Sequence, residues 1–203
     1  QREQLKMWFD AVTKAGSPIK TAYLQCLLLT GARRGEMLNL RWEDVDFQWR
    51  TLEIGDKASR KGGQDGTRQI PMTPYVAALL AGLPRRNKWV FSSMQTQDGR
   101  ISEPREVHAR ALQNAGLPHL TIHGLRRSFA TLSEWVELPV GVVAQIQGHK
   151  PSAIAEKHYR RRPLDLLRMW AIKFEAWILE QAGLEQPDLE GTKSGLRVVG
   201  GAK

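Results

Sequence analysis

The chain has 203 residues and a formal net charge of +9, because 30 Lys and Arg residues outnumber 21 Asp and Glu residues. Its composition, 41% hydrophobic and 25% charged, is that of a folded protein and excludes a chain that is disordered throughout. No segment approaches the roughly 20 consecutive apolar residues of a membrane-spanning helix. The basic charge indicates an acidic partner, but composition alone does not separate DNA from RNA, a membrane surface or ordinary surface charge.

The cysteine content and the first residues bear on the cellular context. Cys26 is the only cysteine, so an intrachain disulfide is excluded and we expect a reducing compartment, the cytoplasm. Cys26 lies in an apolar stretch, which favours core packing over a nucleophilic role. The chain begins with neither a methionine nor a signal-peptide pattern, so we expect it to be a piece of a longer protein.

The beginning of the chain predicts two helices. Apolar residues within 5–12 recur at the spacing of one helix face, and Gly16 marks the end of that pattern. Ser17-Pro18 has the pattern of an N-cap followed by proline at the first helical position. It predicts a second helix, which Gly31 ends or bends.

The pattern then changes to short runs that suit β-strands. Residues 51–54 and 68–72 predict a hairpin, joined by a long connection rich in Gly and Lys at 55–67. Residues 89–91, Trp-Val-Phe, predict a third short strand. The sequence therefore predicts a small antiparallel sheet.

Most of the remaining chain predicts helices. The segments are residues 74–83, 103–115, 125–136, 140–146 and 164–181. The predicted fold is mainly α (α+β), a helical domain with a small three-stranded antiparallel sheet. We predict one domain over 1–183 and a flexible tail over 184–203, because the Gly-rich end has too little apolar material for a core.

Several common catalytic motifs are missing from the sequence. It contains no phosphate loop, no His-Glu-x-x-His zinc helix, no cysteine pair and no Gly-x-Ser-x-Gly elbow. Nor does it show an acidic cluster of the kind that a two-metal nuclease uses. If the protein cuts phosphodiesters, we therefore expect it to do so without a metal ion.

Four short polar segments remain, at residues 30–36, 123–126 and 148–149 and at Tyr159. Taken singly, each fits an ordinary role: a helix-end cation, a surface histidine or a packed tyrosine. Their order and separations make the set specific.

Together these segments resemble the tyrosine recombinases, the phage integrase family, and specifically their C-terminal catalytic domain. The family pattern Thr-Gly-x-Arg-x-x-Glu-x-x-x-Leu is met over residues 30–40. The His-x-x-Arg box is met by His123 and Arg126, the Gly-His box by residues 148–149, and the nucleophile falls on Tyr159. The resemblance covers nearly the whole chain and implies the recombinase fold.

The sequence departs from the family pattern in two places. His149 and Tyr159 are ten positions apart, one more than is commonest in the family. The predicted hairpin is also longer than usual, and the family carries a catalytic lysine there. By its distance from the strand, Lys57 is the better match, and Lys61 remains the alternative.

The resemblance implies six catalytic residues: Arg33, Lys57, His123, Arg126, His149 and Tyr159. Two guanidiniums suit the charge that builds on a phosphate under attack, since each stays protonated and meets phosphate oxygens in pairs. The two histidines would bind the phosphate or transfer protons, and the lysine would act as general acid on the leaving 5′ oxygen. A tyrosine hydroxyl, with an ordinary pKa of about 10, needs such neighbours to become a nucleophile.

The resemblance further implies a 3′-phosphotyrosyl intermediate, with no ATP, metal ion or other cofactor. Glu36 is expected to orient Arg33 or to cap its helix rather than to react. The basic run at residues 157–162 surrounds the nucleophile and would attract DNA. We expect contacts to the DNA backbone from some combination of Arg34, Arg41, Arg60, Arg105, Arg110 and Arg127.

Three functions follow as hypotheses. The leading one is a site-specific DNA recombinase or integrase of a phage or mobile element, associated with the nucleoid. The others are a type IB topoisomerase-like activity and a catalytically silent DNA-binding module. The expected partner is double-stranded DNA at attachment sites, bound by a homotetramer of the full-length protein that includes an N-terminal core-binding domain. Whether the C-terminal helix and tail dock in cis or in trans stays open.

Overall fold

The computed structural model describes residues 1–55, 67–149 and 161–188. In these ranges the α-helices are α1 (Leu5–Lys14), α2 (Pro18–Thr30), α3 (Arg34–Leu38), α4 (Pro74–Ala81), α5 (Arg105–Asn114), α6 (Ile122–Ser133), α7 (Val140–Gln147) and α8 (Leu164–Ala182). The strands are β1 (Val45–Asp46), β2 (Thr51–Gly55) and β3 (Thr67–Pro71). Among the described helices, none is both long and apolar enough to cross a membrane. The predicted mainly helical fold with a three-stranded antiparallel sheet is confirmed.

The helix α2 forms the centre of the hydrophobic core. It begins at Pro18 after Ser17, and Gly31 ends it with a left-handed φ of 59°, as the sequence predicts. Every residue from Ala22 to Thr30 is buried, because α1, α4, α6 and α8 all pack against this helix. Cys26 is among these buried residues, in agreement with a packing role. The core therefore holds the C-terminal end of α2, where the predicted site begins, in a fixed position.

The sheet has the order β1-β2-β3, and both pairings are antiparallel. Its third strand is β1 and not residues 89–91, so that prediction is wrong. In this segment Trp89 makes one isolated bridge, to Arg41, and Val90 donates its N–H to the carbonyl of Leu40 at 3.1 Å. The two-residue β1 joins β2 through a tight turn, in which Asp46 Oδ1 accepts the N–H of Trp49 at 2.8 Å.

The start of α6 lies three residues before its predicted position. Thr121 has an extended backbone, and its Oγ1 accepts the N–H of Gly124 at 3.0 Å, so it caps a helix that begins at Ile122. His123 therefore lies on the first turn of the helix that carries Arg126. The short helix α3 was missing from the predicted elements altogether.

The C-terminal helix α8 packs on its own domain. It contacts β3, α1, α2 and α7. Glu175, which is fully buried, accepts hydrogen bonds from Thr73 Oγ1 and from the backbone N–H of Tyr75 at 2.9 Å, so it caps the beginning of α4. Gln186, beyond the end of α8, donates to Glu175 Oε1 at 2.9 Å. Within this chain, α8 is thus held against its own domain.

Candidate active site

The turn between α2 and α3 starts the site. Gly31 needs its left-handed backbone here, and a Cβ on it would lie 2.7 Å from the ring of Phe129. Arg33 follows with an extended backbone at the N-cap of α3. Three residues later Glu36 turns back, and its Oε2 accepts the Arg33 N–H at 2.7 Å. Glu36 thus caps the beginning of α3, as expected from the sequence.

The Arg33 side chain makes two contacts that fix its direction. Its Nη1 donates to Glu36 Oε1 at 2.7 Å, and its Nη2 donates to the carbonyl of Gly148 at 3.2 Å. The first partner is on the next helix, and the second is the residue before His149. The side chain remains 43% exposed, so a ligand can reach it.

Arg126 is buried beside the same turn. It is 6% exposed, and its Nη1 donates to the carbonyl of Gly31 at 2.6 Å. Its own carbonyl accepts from Nε2 of the buried Gln147 at 2.8 Å, which ties α6 to α7. Burial and the charge of Arg33 lower the pKa of Arg126 to about 10, so it stays cationic at neutral pH. A buried cation beside another cation is an arrangement that an anionic ligand would stabilise.

His149 lies at the end of α7. Gly148 ends that helix with a left-handed φ of 67°, and the N–H of His149 bonds the carbonyl of Ala144 at 2.9 Å. Partial desolvation and the positive charges of Arg126 and Arg33 lower the pKa of the His149 imidazole below its usual value. The ring is therefore neutral at physiological pH and offers one N–H donor. Arg33, Arg126 and His149, which are far apart in sequence, thus meet.

His123 occupies a neighbouring position. It is exposed on the first turn of α6 and lines an open cavity of about 580 Å³ between the beginnings of α5 and α6. Arg34 and Arg105 line the same cavity, and both form ion pairs with Glu103 at 2.8 Å. His123 is exposed, whereas Arg126, three residues later on the same helix, is buried.

The remaining predicted site residues lie outside the described residues. These are Lys57, Lys61 and Tyr159, together with Arg60 and most of the basic run at 157–162. The described chain resumes just after Tyr159, and there Gln145 of α7 holds the backbone of Arg162. Gln145 Nε2 donates to the Arg162 carbonyl and Gln145 Oε1 accepts the Arg162 N–H, both at 2.9 Å.

The fold and this cluster can be compared with known proteins. The model of the phage integrase family matches residues 1–163, which is most of the chain. The chain belongs to the phage integrase family. The resemblance inferred from the polar segments is therefore confirmed.

The relatives of this phage integrase family member include a prophage integrase. Prophage integrase IntF of Escherichia coli (strain K12) is 58% identical over 191 residues, which cover 91% of this chain and 40% of IntF. The chain thus spans less than half the length of that relative. The solved structure of XerA recombinase matches with a TM-score of 0.62 at 22% identity, covering 84% of this chain and 61% of XerA. XerH site-specific recombinase bound to its difH substrate matches with a TM-score of 0.59 at 19% identity, covering 84% and 52%.

Arg68 belongs to the same cluster as Arg33 and Glu36 in this integrase-family chain, and it was not predicted from the sequence. This arginine lies on β3, and it forms a two-pronged ion pair with Glu36, with both N···O distances at 2.8 Å. A signal for it existed, because Arg68 alternates with the buried Ile70 and so occupies the inward face of a strand. An arginine in such a position needs a buried anion as its partner.

The charge of Glu36 gives a testable pH dependence. Burial opposes its ionisation, but the hydrogen bonds and charge of Arg68, with those of Arg33, lower the pKa of its carboxyl to about 2. A depressed folded-state pKa contributes stability above the unfolded value, near 4.5, and that stability is lost as the pH falls towards 2. One pKa unit is about 1.4 kcal/mol, so the contribution is on the order of 3 kcal/mol.

We therefore expect the difference in free energy of unfolding between wild type and Glu36→Gln to shrink as the pH falls from 5.5 to 3.5, by roughly 1 kcal/mol. Urea denaturation at several pH values measures it. A difference that stays constant over that range would contradict the ion-pair account.

Proposed function

We propose that this chain is the catalytic domain of a site-specific DNA recombinase, an integrase of a phage or mobile element. The observation that carries the proposal is the meeting of Arg33, Arg126 and His149 at the ends of α2 and α7, in a chain of the phage integrase family. In the proposed reaction, one DNA strand is cut and rejoined through Tyr159.

The two arginines would bind the scissile phosphate. In an attack on a phosphodiester, negative charge grows on the two non-bridging oxygens, and preorganised guanidiniums lower the energy of that state. Arg33 is accessible and is aimed by Glu36 and Gly148, whereas Arg126 is buried and is fixed by Gly31. Neither has to reorganise when charge develops.

In the covalent step, one phosphoester bond is formed and one is broken. The Tyr159 Oη attacks the phosphorus and gives its proton to one of the two site histidines. The bond from phosphorus to the 5′ oxygen breaks, and that oxygen takes up a proton from the general acid. The product is a 3′-phosphotyrosyl linkage and a free 5′ hydroxyl. Attack by the 5′ hydroxyl of another strand reverses these changes and releases the tyrosine, so the energy of the bond is retained and the step needs no ATP.

The proposed partner is double-stranded DNA at a specific attachment site. XerH, whose fold this chain shares, is bound to its difH DNA substrate, and this supports the choice. The net charge of +9 supports it too, because phosphate neutralisation provides much of the affinity of DNA-binding proteins. We propose that the full-length protein works as a tetramer on DNA, in the cytoplasm at the nucleoid.

A nicked suicide DNA site tests the proposal. In such a substrate the short fragment that carries the new 5′ hydroxyl diffuses away after cleavage. The covalent complex therefore accumulates, and it resists SDS. The expected result with full-length wild-type protein is an adduct that protease treatment removes. The absence of any adduct at sites that the protein binds would overturn the proposal, and relaxation of a single duplex without transfer between two would favour the topoisomerase-like alternative.

The lysine assignment is a separate prediction. We expect Lys57→Ala to slow adduct formation by about 100-fold, since general acid catalysis typically contributes that much or more. Lys61→Ala should leave most of the rate. Single-turnover cleavage of the suicide site measures both, and a 5′-bridging phosphorothiolate, whose leaving group needs no proton, should restore the rate of the impaired variant. A greater loss at Lys61 would reverse the assignment.

A further inference from the structure

Arg68 is placed where two parts of the site come together. It lies on β3 with its side chain turned inward, and only 16% of that side chain is exposed. Its guanidinium uses three N–H donors on the protein itself. Nη1 and Nη2 bind the two oxygens of Glu36, and Nε donates to the carbonyl of Ile146 at 2.9 Å.

The contact with Glu36 keeps that carboxylate charged. The Glu36 side chain is 3% exposed, and an ionised carboxylate so buried needs a close cation and filled hydrogen-bonding sites. Arg33 supplies one side-chain bond, whereas Arg68 supplies two. Arg68 is therefore the main side-chain partner of Glu36, and Arg33, which shares this carboxylate, stays 43% exposed to a ligand.

The contact with Ile146 fixes the end of α7. The last carbonyls of a helix lack partners within it, and a cation there also interacts favourably with the helix dipole. Arg68 fills this position and packs against the next turn, because a Cβ on Gly148 would lie 2.9 Å from the Arg68 side chain. His149 follows immediately, so the direction in which it leaves α7 depends on Arg68.

We propose that Arg68 is a positioning residue of the active site: it holds Glu36 charged and the Gly148–His149 turn in place, so that Arg33 and His149 face the same phosphate. The inference rests on the proposed function. Arg68 acts through Glu36 and α7 rather than by binding DNA, because each of its three nitrogens already donates to a protein acceptor and only 16% of its side chain is exposed.

The test uses full-length protein and the suicide site at saturating DNA. We expect Arg68→Gln to slow adduct formation by about 10- to 100-fold, as is typical when a residue that orients catalytic groups is lost. The dissociation constant for DNA should change less than threefold. Arg68→Lys should recover only part of the rate, since lysine restores the charge but not the planar fork that spans both oxygens of Glu36. Circular dichroism and thermal unfolding establish whether Arg68→Gln folds. If it does not, Arg68→Lys serves as the second variant.

A double-mutant cycle separates this role from direct DNA contact. If Arg68 acts through Glu36, the variant with both Glu36→Gln and Arg68→Gln should be no slower than the slower single variant. Fully additive losses, or a loss of DNA affinity with an unchanged rate at saturation, would overturn the inference. Arg86→Gln is the matched control, because it removes the same charge from an exposed position beyond α4.

The two hypotheses fail in different ways. If wild type forms no adduct, the proposed function fails. If wild type forms the adduct and Arg68→Gln forms it equally fast, the proposed function stands and the role of Arg68 is wrong.

Discussion

Tyr159→Phe is expected to abolish the covalent adduct while leaving DNA affinity within about twofold of wild type. The substitution removes only the hydroxyl oxygen that would form the bond to phosphorus, and no other atom of the ring can replace it. The ring, the neighbouring cations and the rest of the site stay the same. SDS-resistant adduct on the suicide site and a gel-shift titration at fixed salt measure the two quantities.

The chain provides its own controls, because it has only three tyrosines. The hydroxyl of Tyr23 donates to the carbonyl of Arg34 at 3.0 Å, and that of Tyr75 donates to Gln25 Oε1 at 3.2 Å. Burial raises the pKa of both phenols, which makes each a poorer nucleophile than an ordinary tyrosine. Tyr75→Phe should therefore form the adduct in full. An undiminished yield from Tyr159→Phe would mean that the nucleophile is another residue.

Arg126→Ala is expected to slow adduct formation by about 1000-fold, at the upper end of what the loss of one preorganised donor costs. Arg126 is more constrained than Arg33, since it is buried and its bond to Gly31 uses only one of its five N–H donors. The substitution also leaves the Gly31 carbonyl without that partner, so we expect the melting temperature to fall by several degrees. Single-turnover kinetics and thermal unfolding measure the two effects.

Arg126→Lys distinguishes charge from geometry. A lysine keeps the positive charge but cannot bond the Gly31 carbonyl and a phosphate with one rigid fork. We expect the rate of adduct formation by Arg126→Lys to be no more than about a tenth of the wild-type rate. The control Arg86→Ala should match wild type. Full activity of Arg126→Lys would show that a point charge is enough and that the fixed direction of the guanidinium has no role.

The sequence predicted the helices well where apolar spacing and caps coincided. In α2 the proline start, the apolar run and Gly31 all agreed, and both ends were predicted within one residue. The third strand failed for a physical reason. Val90 and Phe91 are completely buried, and a short buried apolar run has no periodicity that separates a strand from a packed loop. Val45–Asp46, the real strand, is too short to have a period at all.

For the site, the spacing of the polar segments predicted Arg33, Arg126 and His149, and the structure brings these three residues together. Each of these residues lies just after a glycine turn or within a short motif on a helix, so a few neighbouring residues are enough to recognise it. Arg68 was not found, because its partner Glu36 is 32 positions away and their pairing depends on how β3 lies against α3 and α7. Local sequence patterns thus predict the residues of the site, whereas the residues that hold them in place are determined by tertiary packing.

The two hydrogen bonds between Gln145 and the backbone of Arg162 fix the chain close to Tyr159, the proposed nucleophile. Arg162 is three positions after Tyr159, and three residues of fully extended chain span at most about 11 Å. Gln145 is in turn three residues before Gly148, about 4.5 Å of helix rise, and Gly148 touches Arg33. The helix α7 and the turn that ends it thus hold both Arg33 and the backbone of Arg162. In the proposed reaction, the arginine that binds the phosphate and the chain that carries the attacking hydroxyl would therefore be tied to the same helix, which would raise the effective concentration of the hydroxyl at the phosphate.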